Sequence, residues 1–257
     1  MFPVTLESAS SFFRSMGLKE GDIVELHGSL KAIGLVSGGP NTIIDALLKV
    51  LSYEGTLLMA AQYSTNTEPA HWQHPPVEIE SFKLIRESHP SFKGKESYLN
   101  WMGSLAQTLQ LKDQTMFSDH PNCAVMALGK QAKWLTMSSP ISPAFGIDSP
   151  LEKAIQMKSK ALLIGVDYST LTGMHVAETL SNMRPYYLES ATIKVNGKDK
   201  RVKILDVDTD SEIFNQIGAE YELTHEVKTL NLGNATVKLI EMSSLHEFTI
   251  SYFKEHL

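Results

Sequence analysis

The chain has 257 residues, with 23 Lys and Arg against 29 Asp and Glu for a formal net charge of −6, and it is 42% hydrophobic and 20% charged. That length is enough to bury a sizeable core without disulfides or a structural metal, and the acidic balance does not suggest a general nucleic-acid binder, which usually carries a basic face. A single cysteine, Cys123, excludes an internal disulfide and a cysteine-based zinc site. The opening MFPVTLESASSFFRSMG lacks a basic stretch followed by an apolar core. No apolar run reaches the roughly 18 residues that span a membrane. The expectation is a soluble protein of the cytoplasm with no nucleic-acid or membrane partner; the sequence carries no signal of oligomeric state.

Thr5 to Met16 reads as a helix stopped by Gly17. Asp22 to His27 reads as a strand, followed by a turn at Gly28-Ser-Leu30 and the segment Gly38-Gly-Pro-Asn41. Ile43, Ile44, Leu47, Leu48 and Leu51 have helical spacing, and Thr56 to Ala60 is a short apolar strand, so this stretch predicts a βαβ-like unit. Gln62 to Pro76 is a long polar loop of the kind that often carries function. A helix over Glu78 to Ser88 follows, then a loop at Trp101 feeding a helix to Leu109, a strand over Cys123 to Leu128 and a short helix to Met137. Pro140 to Pro150 is a loop, with Ser149 as a helix cap and Pro150 at the first helical position. Ala161 to Val166 is a buried strand. Two strands, Ala191 to Val195 and Arg201 to Leu205, flank Asn196-Gly197, a strong hairpin signal. A helix over Asp210 to Gly218, a strand over Thr236 to Ile240 and a final helix from Ser243 complete the chain. Early alternation and a late hairpin predict an α/β fold with some antiparallel pairing.

Two constellations carry chemistry. In Thr172-Gly-Met-His175-Val-Ala-Glu178, His175 and Glu178 share a helix face just after the strand ending at Val166. That is the carboxyl edge of a sheet, where ligands bind. A histidine there accepts a proton and a carboxylate orients it or holds a cation; an exposed helix histidine with an ordinary charged neighbour has the same spacing. The second is His27-Gly-Ser-Leu30 with Gly38-Gly39 and Asn41 at a helix start, where backbone amides suit phosphate. A plain glycine-capped turn fits that pattern as well. The absence of Walker A and GxGxxG motifs ranks nucleoside triphosphates and dinucleotides lower. Asp119 and His120 read as a structured turn, and Cys123, in an apolar run, as a buried inert thiol. His71, Trp72 and His74 either line a pocket or pack their loop.

Taken in order, these segments resemble the aminoglycoside 3-N-acetyltransferase family. The matching pieces are His27-Gly-Ser-Leu30, Ser37-Gly-Gly-Pro-Asn-Thr42 with Ile44-Asp-Ala-Leu47, Glu54-Gly-Thr-Leu-Leu-Met59, and Glu68-Pro69 with Trp72. They continue through Met102-Gly103, Ser118-Asp-His-Pro121 and Ser149-Pro-Leu151 to the stretch from Leu163-Ile-Gly-Val166 to His175-Val-Ala-Glu178. The resemblance spans nearly the whole chain, and order and spacing carry it rather than any one piece. It implies a single acetyltransferase domain over residues 1–257: a mixed sheet flanked by helices, with a C-terminal β-hairpin segment. That fold is distinct from the GNAT acetyltransferases, and Arg14-Ser-Met-Gly17-Leu-Lys19 does not complete the GNAT pattern (Q/R)xxGx(G/A).

The activity implied is transfer of acetyl from acetyl-coenzyme A to the 3-amino group of an aminoglycoside, by direct attack in a ternary complex, conferring antibiotic resistance. No metal is expected. By resemblance, His175 is the general base, and Glu178 orients it or binds the cationic sugar. His27 supports Ser29 or the bound thioester, and Ser29 or amides beside it stabilise the charge developing on the thioester oxygen. Coenzyme A contacts are expected from Ser29, Leu30, Lys31, Gly38, Gly39, Asn41 and Ser104. The acceptor is expected against Tyr63, Asn66, Trp72 and Glu178. Asn66 is neutral where relatives commonly carry an aspartate, which weakens attraction for a polycation, and Glu68 is a candidate to compensate. Other primary amines, or coenzyme A binding without turnover, are the alternative readings.

Overall fold

The computed structural model describes residues 2–73, 75–99 and 101–256. Helix α1 (Leu6–Met16) opens with a capping box between Thr5 and Ser8 and closes on Gly17 at φ 102°. Then come β1 (Ile23–Gly28), the one-turn α2 (Leu30–Ile33), α3 (Pro40–Leu51) and β2 (Thr56–Gln62). After the polar loop stand α4 (Phe82–Ser88), α5 (Gly103–Leu111), β3 (Met116–Phe117), β4 (Cys123–Gly129), α6 (Ala132–Thr136), α7 (Pro150–Gln156), β5 (Lys160–Ile164) and α8 (Met174–Ser181). The hairpin β6 (Tyr186–Val195) and β7 (Lys198–Val207) is followed by α9 (Phe214–Thr224), β8 (Lys228–Leu232), β9 (Ala235–Glu241) and α10 (Met242–His256).

Seven strands form one mixed sheet in the order β3-β4-β2-β1-β5-β9-β8. Strand β1 pairs in parallel with β2 on one side and β5 on the other, and the remaining pairings are antiparallel. The three parallel strands are mostly apolar because helices cover both their faces, with Glu25 and His27 of β1 among the exceptions. On one face, Val24, Leu26, Leu57, Met59, Leu162 and Ile164 pack with Phe13 of α1, Leu47 of α3 and Leu105 of α5. On the other, Ile23, Leu58, Ala161 and Leu163 pack with Leu151 of α7, Val176 of α8, Phe214 of α9 and Phe253 of α10. Since β2 and β5 flank β1 on opposite sides, their carboxyl ends frame a crevice at the point where the strand order reverses, the ligand position of open α/β sheets.

The hairpin is a separate two-stranded ribbon, ten residues per strand, turning through Asn196 and Gly197 at φ 50° and 77°. It begins earlier than its apolar core suggests, because Tyr186 to Ser190 pair with β7 despite half facing solvent. Strands β3 and β8 and the short α2 have no sequence signal: β3 is two residues, and four of the five residues of β8 are exposed. Helix α9 starts at Phe214 rather than Asp210, since the Asp210 carboxylate accepts the Glu212 amide at 2.9 Å and holds that segment in a turn.

Asn66 ties the ribbon to the body. It is fully buried. Its Nδ2 donates to the carbonyls of Pro121 (3.0 Å) and Thr192 (2.9 Å), and its Oδ1 accepts from the Thr192 amide (2.8 Å) and Arg201 Nη1 (3.2 Å). The expectation that Asn66 meets substrate is therefore corrected: every hydrogen-bonding position of its amide is used internally. Asn66→Ala leaves those buried partners unpaired and is expected to lower the unfolding free energy by about 3 kcal/mol. A urea midpoint equal to that of the wild type would show that the ribbon is held by other contacts.

Candidate functional site

A cavity of about 610 Å³ opens at the carboxyl ends of β1, β2 and β5. The end of β1 supplies His27, and the turn and α2 after it supply Ser29, Leu30 and Lys31; the start of α5 supplies Met102, Gly103 and Ser104; the approach to α8 and its first turn supply Thr172 and His175. Gly28 and Ser29 reach this edge because β1 stays in register with β5 as far as Ile164, whose carbonyl accepts the Ser29 amide at 2.9 Å. Gly103 adopts φ 73°, and the amino end of α5 that it opens faces the cavity. Six residues expected from sequence, His27, Ser29, Leu30, Lys31, Ser104 and His175, thus line one space.

His175 Nδ1 lies 2.8 Å from Glu178 Oε2, one helical turn apart on α8. The carboxylate fixes the tautomer: Nδ1 carries the hydrogen and Nε2 is the ring's open acceptor. The ring is stacked on Phe145 (5.1 Å between centroids, 27°) and flanked by Phe214 (4.8 Å). Glu178 has no exposed surface; its second oxygen accepts the Asp210 amide at 2.8 Å and is ion-paired with Arg184 at 3.2 Å, whose Nε–H donates to the Asp208 carbonyl at 2.9 Å. Both oxygens are taken and the side chain is buried, so this geometry does not offer Glu178 to a cationic sugar, the second role expected of it. The ring of a second imidazole–carboxylate pair lines the same cavity, with His27 Nε2 2.8 Å from Glu25 Oε1. Glu25 and Arg184 were not singled out in the sequence. A carboxylate two residues before a histidine in a strand was a readable signal, because the two share a face; for Arg184 there was none.

Other expectations need correction. Gly38, Gly39 and Asn41 lie outside the cavity: the segment before α3 is tied instead to the amino-terminal strap, with Val4 donating to the Leu35 carbonyl and Ser37 to the Val4 carbonyl, both at 2.9 Å. Tyr63 is 9% exposed and packs against His89 and Phe92, a core position rather than a substrate contact. Glu68 is engaged by Arg86 and by Ser190 Oγ at 2.6 Å. Burial alone would raise its carboxyl, but these bonds and the Ala70 amide bring it down to about 2, so it holds the loop to the ribbon instead of offering a free charge. Trp72 lines a neighbouring cleft of about 300 Å³, and the Trp101 side of that cleft also borders the main cavity. His71 lies against Tyr187 with the rings tilted (5.7 Å between centroids, 51°), and His74 lies outside the described residues. Among the described residues, no group of three or more His, Cys, Asp or Glu is arranged to hold a metal, and no helix is long and apolar enough to cross a membrane.

Residues 26–254 match the family model described as aminoglycoside 3-N-acetyltransferase. The chain is 30% identical over 253 residues to the SPbeta prophage-derived aminoglycoside N(3')-acetyltransferase-like protein YokD of Bacillus subtilis (strain 168), covering 98% of this chain and 93% of that protein. The crystal structure of YokD superposes with a TM-score of 0.97 over 100% of this chain and 95% of that one. Aminoglycoside N(3)-acetyltransferase III of Pseudomonas aeruginosa is 29% identical, over 94% of this chain and 90% of its own. Two further structures share the fold. Aminoglycoside acetyltransferase AAC(3)-Xa has a TM-score of 0.90 at 28% identity, covering 99% of this chain and 94% of that one. AAC-IIIb in a binary complex with CoASH has a TM-score of 0.89 at 24% identity, covering 100% and 98%.

Behind the cavity, His120 and Cys123 are structural. His120 Nδ1 accepts the Cys123 amide at 2.9 Å, and its Nε2 donates to the Ile141 carbonyl at 3.1 Å. Burial pushes the Cys123 thiol up, which keeps it protonated and inert. Burial pulls His120 down to about 4, more than the Ile141 carbonyl raises it. The unfolded chain binds this proton near pH 6.5 and the folded chain near 4, so the stability due to neutral His120 is complete above 6.5 and is lost as pH falls towards 4. Unfolding free energy is expected to decline across that window, by about 3 kcal/mol from this residue. His120→Gln should flatten the slope without removing it, since burial also lowers His89 and His246. An unaltered slope in that variant would remove His120 from the account.

Proposed function

This chain belongs to the aminoglycoside 3-N-acetyltransferase family, and from that premise we propose that it transfers acetyl from acetyl-coenzyme A to a primary amine of a cationic, aminoglycoside-like acceptor. The observation that carries the reading is the His175–Glu178 pair, with the free Nε2 on the wall of a cavity that also presents Ser29, Lys31 and the amino end of α5. An amine that is protonated at neutral pH gives one proton to solvent to become a nucleophile and a second as it is acylated, and a fixed imidazole nitrogen is suited to receive the second. The amine nitrogen bonds to the thioester carbonyl carbon, and its proton passes to His175 Nε2. The carbon–sulfur bond then breaks, and the same proton leaves Nε2 for the departing sulfur. Glu178 balances the imidazolium between these steps, and Arg184 with the Asp210 amide keeps Glu178 from turning away.

The remaining groups fit the two substrates. Helix amides at Gly103 and Ser104 and the Lys31 ammonium suit the phosphates of coenzyme A. Ser29 and neighbouring amides suit the oxygen on which negative charge grows. The segment that brings Ser211 to the cavity also bears Asp208, Asp210 and Glu212, a source of attraction for a cationic acceptor that does not depend on Asn66. Both substrates held in one space need no covalent acetyl-enzyme, in keeping with the inert Cys123. By the same reading, the activity confers resistance on its host.

Thiol release from acetyl-coenzyme A in the presence of gentamicin, kanamycin or neomycin tests the proposal. His175→Ala is expected to lower drug-dependent release by about 10²–10⁴-fold while acetyl-coenzyme A still binds. Full release in that variant would remove His175 as the base. Binding of acetyl-coenzyme A without release for any drug would move the proposal to a different amine acceptor.

A further inference from the structure

Strand β1 reads Ile23-Val-Glu-Leu-His-Gly28, and the two-residue period of a strand sets Ile23, Glu25 and His27 on one face. Ile23 joins the apolar cluster on that face. Glu25 is 2% exposed at a position where a parallel strand covered on both faces takes an apolar residue. Among the described residues no lysine or arginine pairs with it; its one ionic neighbour is His27. A carboxylate so placed is tolerated only when its oxygens are bonded. Glu25 Oε1 accepts from two elements at once: His27 Nε2 at 2.8 Å and the Gly173 amide at 2.9 Å.

Each bond acts on a different wall of the cavity. The first assigns the hydrogen of His27 to Nε2 and leaves Nδ1 as the unbonded nitrogen of a cavity-lining ring, an acceptor for an N–H group of whatever binds there. The second fixes the backbone just before α8, two residues from His175. The approach is close enough that a side chain at Gly173 would run into Glu25 Oε2, and into Met242 Cε at 2.6 Å. The separation of the two histidines thus passes through a single carboxylate oxygen.

We propose that Glu25 is a positioning residue for acetyl transfer, setting the tautomer of His27 and the placement of the helix that carries His175. The role rests on the acetyl-transfer reading above; the bond network itself does not. Nitrogen-15 spectra of the ring nitrogens, with His27 identified by its loss in His27→Gln, test it directly. The wild type is expected to show His27 as the Nε2–H tautomer. Glu25→Leu, which removes the acceptor and keeps the side-chain bulk, is expected to mix the tautomers. It should also lower kcat for acetyl transfer by about 10–100-fold, the range for losing a partner that orients a working histidine, with acetyl-coenzyme A affinity little changed. Glu25→Gln, whose amide oxygen can accept both bonds, is expected to restore most of the tautomer signal and of kcat.

Wild-type kcat and an unmixed tautomer in Glu25→Leu would overturn the proposal. So would a lost kcat accompanied only by a lower Tm, with the tautomer intact. Should Glu25→Leu not fold, the wild-type tautomer and Glu25→Gln decide: an Nδ1–H ring in the wild type overturns the proposal. The tautomer is read without substrate, so a protein that acetylates no drug still tests the hold of Glu25 on His27, while an active His175→Ala removes His175 as the base and leaves that hold untouched.

Discussion

Parallel pairing of β1 on both sides is the constraint on which the molecule depends. Two parallel neighbours oblige β1, β2 and β5 to end at the same edge, and their connections must leave and return across the faces. The edge is thereby left without a covering strand, and the turns that leave it carry Ser29, Lys31 and the approach to α8. Antiparallel strands fill the two flanks of the sheet, where they add core without adding to this edge. The cavity is thus a product of topology: side chains reach it from the end of β1 and the turn after it, from the start of α5 and from the approach to α8.

The rings of two imidazole–carboxylate pairs line that space, and the pairs are built differently. His175 and Glu178 use the three-residue spacing of a helix, whereas His27 and Glu25 use the two-residue spacing of a strand. In both, the carboxylate is nearly or fully buried and spends its remaining capacity on backbone amides: Asp210 for Glu178 and Gly173 for Glu25. Each acid is therefore a joint between the site and a distant part of the chain. Glu178 links α8 to the segment entering α9, and Glu25 links the central strand to α8.

Much of this was legible in the residues. Apolar runs at Ile23, Thr56 and Ala161 and the Asn196-Gly197 turn marked the central strands and the ribbon, because burial on both faces and a positive-φ turn leave direct compositional traces. His175 with Glu178, and the turn from His27 to Lys31, were legible because their partners are close in sequence. What was not legible is whatever is decided across long separations. Asn66 reads as a polar loop residue, yet its partners lie 55 and 126 positions away. Tyr63 reads as a loop aromatic, but Phe92 and His89 close over it. Gly38 and Gly39 have the composition of an anion loop, but pairing with Val4 directs them elsewhere. Glycine content describes what a backbone can do and not which way it faces.

The aromatic clasp on His175 has a consequence for the traffic of protons. With Phe145 stacked on one side, Phe214 against another and Nδ1 anchored to Glu178, the ring is not free to rotate and exchange its nitrogens. A histidine that swings can collect a proton on one side of a site and discard it on another. This one has a single port. Whatever Nε2 receives must return to the cavity that supplied it, so under the proposed acetyl transfer the proton taken from the attacking amine and the proton needed by the leaving group are the same particle, handled within one closed exchange.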